Sequence, residues 1–211
     1  MTGPVRGNAH HWNDRYSAGD SSLGWTQPHA TMSLRLIEQY GTGLPAWPER
    51  SVIDIGAGAS VFVDDVLDRG GRDITALDIA DAGMALTRVR LGDLAVSVTW
   101  LVADMVAWEP RRTWDVWHDR AVLHFLTEDA DRDRYRDHLL AGTAPGSLVV
   151  IGGFGPASPD TCSRLPVRRA TPAEMTSWLG ADFRVVDTRL DLFVTPHGDE
   201  RQYVWTTAIR R

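Results

Sequence analysis

Three carboxylates stand at the ends of apolar runs in the first half of the chain, and a glycine-rich turn follows the first of them. Asp54 precedes GAGAS, Asp78 closes DITALD, and Asp104 closes VSVTWLVAD. Glycines after a buried strand let the backbone approach a ligand, and a carboxylate can accept hydrogen bonds from both hydroxyls of a ribose. Turn formation explains one aspartate at a strand end, but three in this order with the glycine turn favour a nucleotide-type site.

The glycine turn departs from the pattern that binds a dinucleotide. Its residues are Gly56, Ala57, Gly58 and Ser60. Position 61, where that pattern has a third glycine, is Val61. The third glycine packs a helix closely against a strand beside a pyrophosphate, so its absence favours a ligand without a phosphate. An oxidoreductase that uses NAD or NADP is the alternative from a different class.

A second group of polar residues follows in WHDRAVLHF, at the end of the predicted fourth strand. The switch point of a doubly wound sheet lies between strands one and four, which places His118 and Asp119 at the mouth of a pocket. We predict that both are catalytic, together with His124, one helical turn beyond Arg120. A core histidine is the alternative for His124, and a helix N-cap is the alternative for Asp119.

The elements that must position these residues alternate between strand and helix. Five strands are predicted, at SVIDI, DITALD, VSVTWLVAD, TWDVWHD and SLVVIGGF. Helices are predicted at TMSLRLIEQY, VFVDDVLDRG, IADAGMALTRVRLG, TEDADRDRYRDHLLAG and TPAEMTSWLG. Two β-rich runs, FRVVDTRLDLFV and RQYVWTTAI, flank the turn-prone TPHGDE and predict a terminal hairpin. The pattern predicts an α/β fold with a doubly wound, largely parallel sheet.

The predicted organisation is one compact domain. Residues 1–48 form an N-terminal extension, in which HWNDRYSAGDSSLGWTQPHA is a loop leading into a helix, and residues 49–211 form the α/β domain. No apolar run reaches the roughly 18 residues that a membrane span requires. The first residues lack the pattern of a secretory signal, so we expect a cytoplasmic protein.

Composition excludes several classes of function. All 22 basic residues are arginine, which removes lysine nucleophiles and the P-loop lysine. A net charge of -6 without a basic stripe argues against a nucleic-acid partner. Cys162 is the single cysteine, so neither a disulfide nor a thiolate metal site is expected.

The chain resembles the class I methyltransferase family through DIGAGAS, Asp78, VADM and APGSL. The resemblance implies seven strands in the order 3-2-1-4-5-7-6 with the last strand antiparallel, and S-adenosyl-L-methionine as cofactor. Asp78 would bind the ribose and Asp104 the adenine amino group, with Met105 beside the ring. Ser60 and Ser147 replace glycines that many members have. The predicted cofactor-binding residues are Trp25, Asp54, Gly56, Ala57, Gly58, Ser60, Asp78, Ile79, Asp104, Met105 and His118.

The N-terminal HWNDRY and GWTQ segments resemble those of type 12 proteins, the thiopurine and lysine methyltransferase-like subgroup. The resemblance implies a lid formed by Trp12 and Trp25 over the cofactor. Packing of the extension onto the domain is the alternative for Trp12.

The predicted function is direct in-line transfer of a methyl group to oxygen, nitrogen or sulfur of a small molecule, with protein lysine methylation as the alternative. A non-catalytic module that binds the cofactor is a further alternative. Neither a nucleic acid nor a membrane is an expected partner, and the sequence leaves the oligomeric state open. Five further residues have a place near the substrate as one interpretation and a solvated loop or turn as the alternative. They are Cys162, Arg164, Arg168, Arg169 and His197.

Overall fold

The computed structural model describes residues 7–17 and 23–211. The parts of the predicted N-terminal extension at residues 1–6 and 18–22 lie outside the described residues. Six α-helices are present in the described part: α1 Ala9–Ser17, α2 Thr31–Tyr40, α3 Phe62–Asp68, α4 Asp81–Leu91, α5 Asp129–Ala141 and α6 Pro172–Leu179. Among the described residues, no helix has the length and apolar character needed to cross a membrane.

Seven strands form one mixed sheet. They are β1 Ser51–Ile55, β2 Asp73–Asp78, β3 Val98–Val102, β4 Trp114–Arg120, β5 Thr143–Phe154, β8 Phe183–Val194 and β9 Glu200–Arg210. Their order is β3-β2-β1-β4-β5-β9-β8, and β9 runs antiparallel to both of its neighbours. The remaining strands, β6 Thr161–Cys162 and β7 Leu165–Pro166, pair as a separate two-stranded ribbon. With that ribbon set aside, the predicted strand order and the antiparallel last strand are confirmed.

Apolar layers cover both faces of the sheet, as the near-continuous apolar strands require. On one face Val52 packs with Ile37 of α2 and Phe62 of α3. On the other face Ile53 packs with Leu139 of α5 and Leu179 of α6. Because successive side chains of a strand point to opposite faces, SVIDI supplies both layers.

The first helix is the main difference from the predicted elements. Residues 11–17, predicted as loop, belong to α1, so that expectation is wrong. The segment has few apolar residues, but Trp12 and Tyr16 are four positions apart and therefore share one face of a helix. The docking of α1 onto α4 includes a hydrogen bond from the Ala82 backbone N–H to Asn13 Oδ1, at 3.0 Å.

The helix α2 belongs to the core of the sheet, although the predicted boundary at residue 48 assigned it to the extension. Leu36 and Ile37 of α2 are fully buried, and α2 packs against β5. The N-terminal segment therefore contributes both a core helix and, through α1, a cover over the ends of the strands.

Candidate active site

A cavity of about 340 Å³ lies at the carboxyl ends of the central strands. Six lining residues at or just after the ends of β1 to β4 define its inner half. They are Gly56 after β1, Asp78 and Ile79 at the end of β2, Asp104 and Met105 after β3, and Val122 after β4. The sequence analysis placed five of these six residues in the cofactor site, and the structure brings those five together.

The glycine turn is held against the neighbouring strand. The backbone N–H groups of Gly56 and Ala57 donate to the Leu77 carbonyl oxygen at 2.7 and 2.9 Å. Gly56 has φ +69°, and a Cβ atom there would lie 2.0 Å from Val122 Cγ2. Glycine is therefore required both by the backbone conformation and by the close approach of Val122.

Tyr16 of α1 covers the glycine turn, and the sequence analysis missed this residue. A Cβ atom on Gly58 would lie 2.0 Å from Tyr16 Oη and 3.4 Å from Asp78 Oδ2. Burial, followed by the nearby charge of Asp78, raises the pKa of Tyr16 well above its usual value of 10.0. Gly58 thus makes room for a tyrosine of the N-terminal helix. The four-residue spacing of Trp12 and Tyr16 was the available signal.

Asp78 has the environment of a binding carboxylate. Its Oδ1 accepts the Ala80 backbone N–H at 2.7 Å, and the residue is buried at the edge of the cavity. Burial raises the pKa of Asp78 from 3.8 to about 7, and backbone N–H groups of Ala80 and Gly58 oppose that rise. A ligand that donates hydrogen bonds to this carboxylate would favour its charged form.

The turn after β3 presents a second carboxylate. Asp104 Oδ1 accepts the Val106 backbone N–H at 3.0 Å, and Asp104 and Met105 both line the cavity. Met105 is buried and belongs to the apolar layer that contains Leu77. A polar atom and an apolar wall therefore stand side by side, which suits a flat heterocycle with an exocyclic amino group.

The outer half of the cavity combines aromatic rings with arginines. The rings belong to Trp12, Trp25, Phe125, Phe154, Phe193 and Tyr203. The arginines are Arg15, Arg120 and Arg201, and Cys162 and His197 also line this half. Burial raises the pKa of the Cys162 thiol, so it is protonated at neutral pH. Apart from Trp12, Trp25, Cys162 and His197, the sequence analysis did not place these residues near a ligand.

His118 does not lie at the mouth of the cavity, contrary to the expectation from sequence. It is 1% exposed and stacks on Phe62 at a ring distance of 3.8 Å. Its Nδ1 lies 2.7 Å from Asp54 Oδ1 and its Nε2 lies 2.8 Å from Ser33 Oγ. This Ser-His-Asp chain has the order of a hydrolase triad but lies in the core, where it joins α2 to the sheet.

Asp119 is likewise buried and does not line the cavity. Its carboxylate accepts the backbone N–H groups of Val122 and Leu123 at 2.8 and 3.1 Å. The Tyr135 hydroxyl donates to the same carboxylate at 2.7 Å. Burial raises the pKa of Asp119 to about 6, although the hydrogen bond from Tyr135 lowers it. The structure favours the capping interpretation of Asp119 over the catalytic one.

His124 is a core residue in the described structure. Its Nδ1 accepts the Phe154 backbone N–H at 3.2 Å, and burial lowers the pKa of His124 to about 3. The neutral ring packs against Phe125 and Phe154 without lining the cavity. His124 thus has the geometry of the alternative, a buried histidine bonded to the backbone.

The remaining predicted residues either stabilise the backbone near the cavity or lie away from the cavity. Ser60 Oγ accepts the Phe62 backbone N–H at 3.0 Å. Besides His118, four of the predicted cofactor-binding residues do not line the cavity, namely Asp54, Ala57, Gly58 and Ser60. The three arginines predicted near the substrate also lie elsewhere. Arg168 pairs with Asp129, Arg169 donates to backbone carbonyls, and Arg164 does not line the cavity.

Comparison with known proteins supports the fold. Residues 52–146 match a family model described as a methyltransferase domain. This segment runs from β1 into β5 and includes the glycine turn, Asp78 and Asp104. A comparison with curated protein sequences gives no match.

Solved structures with the same fold include methyltransferases. The 1,6-didemethyltoxoflavin-N1-methyltransferase of Burkholderia thailandensis, with 1,6-didemethyltoxoflavin and S-adenosylhomocysteine bound, is 21% identical, with a TM-score of 0.72 over 100% of this chain and 93% of that one. The N-methyltransferase NodS of Bradyrhizobium japonicum WM9, in complex with S-adenosylhomocysteine, is 14% identical, with a TM-score of 0.71 over 97% of this chain and 99% of NodS. The chain thus has the fold of class I methyltransferases.

Proposed function

We propose that this protein transfers a methyl group from S-adenosylmethionine to a small molecule. The observation that carries the proposal is the arrangement of the cavity. Asp78, Asp104 and Gly56 line its inner half, and aromatic side chains and arginines line the outer half of the same cavity. A methyl donor bound in the inner half would meet an acceptor bound in the outer half.

The residues of the inner half fit the cofactor. Asp78 can accept both ribose hydroxyls, and Asp104 can accept the adenine amino group while Met105 packs against the ring. Ile79 adds an apolar contact beside Asp78. Gly56 lines the same half of the cavity without a side chain, which suits the part of the cofactor between ribose and methionine.

S-adenosylmethionine, when bound, supplies an activated methyl carbon whose bond to sulfur breaks as the acceptor's lone pair bonds to that carbon, leaving a neutral thioether. The chain's own contribution is to align the acceptor and exclude water. Trp12 and Trp25 pack edge to face at 6.2 Å, and Trp12 packs on Phe125 at 5.0 Å. They close one side of the cavity, as the predicted lid would.

Proton removal from the acceptor does not require His118, Asp119 or His124, because none of them lines the cavity. His197 does line it and is the imidazole available to take a proton from an acceptor hydroxyl or amine. An acceptor that is already a good nucleophile needs no base.

The proposal includes membership of the thiopurine and lysine methyltransferase-like subgroup. The tryptophan-bearing N-terminal segment resembles the thiopurine and lysine methyltransferase-like proteins, and in this chain Trp12 and Trp25 lie on the cavity, which is where such a lid acts. Protein lysine methylation fits less well, because Arg120 and Arg201 line the outer half and repel an ammonium group.

Calorimetric titration of the purified protein with S-adenosylhomocysteine, and separately with NAD, tests the cofactor. We expect S-adenosylhomocysteine to bind in the micromolar range, at about -8 kcal/mol, and NAD to show no binding. Binding of NAD alone would make the oxidoreductase the correct class. Release of demethylated cofactor during an acceptor screen then separates an enzyme from a non-catalytic binding module.

The affinity for S-adenosylhomocysteine should depend on pH through Asp78. Its pKa is about 7 in the free protein, and ribose hydroxyls favour the charged carboxylate, so a proton competes with the ligand below that pH. We expect the affinity to fall about ten-fold between pH 8 and pH 6. In Asp78→Asn this dependence should disappear, and an unchanged dependence in that variant would assign the titration to another group.

A further inference from the structure

We propose that the methyl acceptor is an aromatic anion, a planar ring system carrying a carboxylate or a similar negative group that binds Arg120. The inference rests on the proposed function, because it assigns the outer half of the cavity to the acceptor. It adds a substrate class and a residue that determines specificity.

Arg120 is fixed in position while most of its donors remain available. Its Nη1 donates to the Trp25 carbonyl oxygen at 3.0 Å. Its guanidinium carbon lies 4.9 Å from the ring centroid of Phe193 and 5.2 Å from that of Tyr203. A guanidinium has five N–H donors in a planar fork that matches a carboxylate.

No carboxylate of the described residues forms an ion pair with Arg120, whereas many of the chain's other arginines do so. The group is nevertheless only partly exposed and faces the cavity. A partly buried cation that contacts rings and a carbonyl, without a counter-ion of its own, is suited to binding an anion from outside.

The wall of the outer half around Arg120 is also positively charged. Arg201 also lines the outer half, and its only carboxylate neighbour there is Asp199, at 3.3 Å. The arginines Arg120 and Arg201 both lower the pKa of Cys162, although burial outweighs them. The other two acidic residues of the cavity, Asp78 and Asp104, lie in the inner half. The outer half therefore attracts anions and disfavours cations.

The rings around Arg120 form a surface for a flat body. Tyr203 packs edge to face with Phe154 at 5.6 Å and with Phe193 at 6.1 Å. All three line the cavity. Aromatic walls favour an aromatic ligand through offset or edge contacts, beyond the burial of apolar area. Together with the arginine, they select an acceptor that is both planar and negatively charged.

The proposal is tested by calorimetry on protein saturated with S-adenosylhomocysteine, with three probes. The probes are naphthalene-2-carboxylate, the neutral naphthalene-2-carboxamide, and the non-aromatic cyclohexanecarboxylate. We expect the naphthalene carboxylate to bind about ten-fold more tightly than either of the others. Equal or tighter binding of the amide, or no binding of the naphthalene carboxylate, would overturn the proposal.

Arg120→Gln should remove the preference for the carboxylate over the amide, and Arg120→Lys should retain part of it. Arg168→Gln is the matched control, because Arg168 is 45% exposed and pairs with Asp129 away from the cavity. The control should keep the full preference. A preference that survives in Arg120→Gln would contradict the assignment.

The affinity for S-adenosylhomocysteine distinguishes a failure of this proposal from a failure of the proposed function. It should be unchanged in Arg120→Gln, and its loss there would show that Arg120 binds the cofactor and not the acceptor. If the wild-type protein fails to bind S-adenosylhomocysteine, the proposed function itself is wrong, whatever the naphthalene probes do.

Discussion

Replacing Asp78 with alanine is expected to weaken the binding of S-adenosylhomocysteine by about 100-fold, or about 3 kcal/mol. The variant loses a carboxylate that can accept two hydroxyl hydrogen bonds in a buried position. Calorimetric titration measures the change directly, and it requires no knowledge of the methyl acceptor.

The fold of Asp78→Ala should remain intact. Because the pKa of Asp78 is raised to about 7 in the folded protein, ionisation of this group costs stability progressively as the pH rises from about 4 to about 7. Removing the carboxylate relieves that cost at neutral pH, which offsets the lost hydrogen bond to Ala80. Thermal unfolding at pH 7.5 checks this expectation.

Asp81→Ala is the matched control, because it removes the same charge three positions away. Asp81 is 57% exposed and pairs with Arg88 on the surface of α4. Its replacement should leave the affinity for S-adenosylhomocysteine within about two-fold of wild type. Equal affinities of Asp78→Ala and wild type would remove Asp78 from the cofactor site.

Replacing Asp119 with alanine should lower the free energy of unfolding by about 3 kcal/mol. The carboxylate is fully buried, and its loss leaves the backbone N–H groups of Val122 and Leu123 and the hydroxyl of Tyr135 without their acceptor. Denaturant unfolding measures the change. Any loss of methyl transfer should follow the loss of folded protein.

Tyr135→Phe measures how much the hydrogen bond from Tyr135 to Asp119 contributes to stability. It removes one of the three donors and should cost about 1 kcal/mol, while the cap on Val122 and Leu123 persists. An Asp119→Ala variant that is as stable as wild type but transfers no methyl group would restore Asp119 to the catalytic role that its place in the sequence predicts.

The fourth strand shows why the residues that line the cavity were not predictable from sequence. Side chains alternate across the sheet, so His118 enters the layer with Phe62 and Asp119 enters the layer with Tyr135. The cavity begins one position later, at Arg120. A sequence pattern locates the end of a strand only to within one or two residues, and here a shift of one residue changes a core side chain into a lining one.

The conformation of the N-terminal segment was also not predictable from sequence. Its tryptophans were predicted to cover the cofactor, but the helix α1, which carries Trp12, was predicted as loop. Because α1 is too short and polar to be stable alone, its conformation depends on packing against α4 and on Tyr16 filling the space above Gly58.

The sequence by itself determined the alternating elements, the antiparallel terminal hairpin and the placement of Gly56, Asp78 and Asp104 at one edge of the sheet. These features follow from local patterns, since apolar runs specify buried strands and the ends of parallel strands meet at one edge. The tertiary structure alone decided which polar residues face the cavity. It buried His118, Asp119 and His124 and exposed Arg120, Phe193 and Tyr203 to the cavity. Phe193 and Tyr203 belong to β8 and β9, and only the folded hairpin brings their rings beside the Arg120 guanidinium. A local sequence pattern does not specify such long-range contacts.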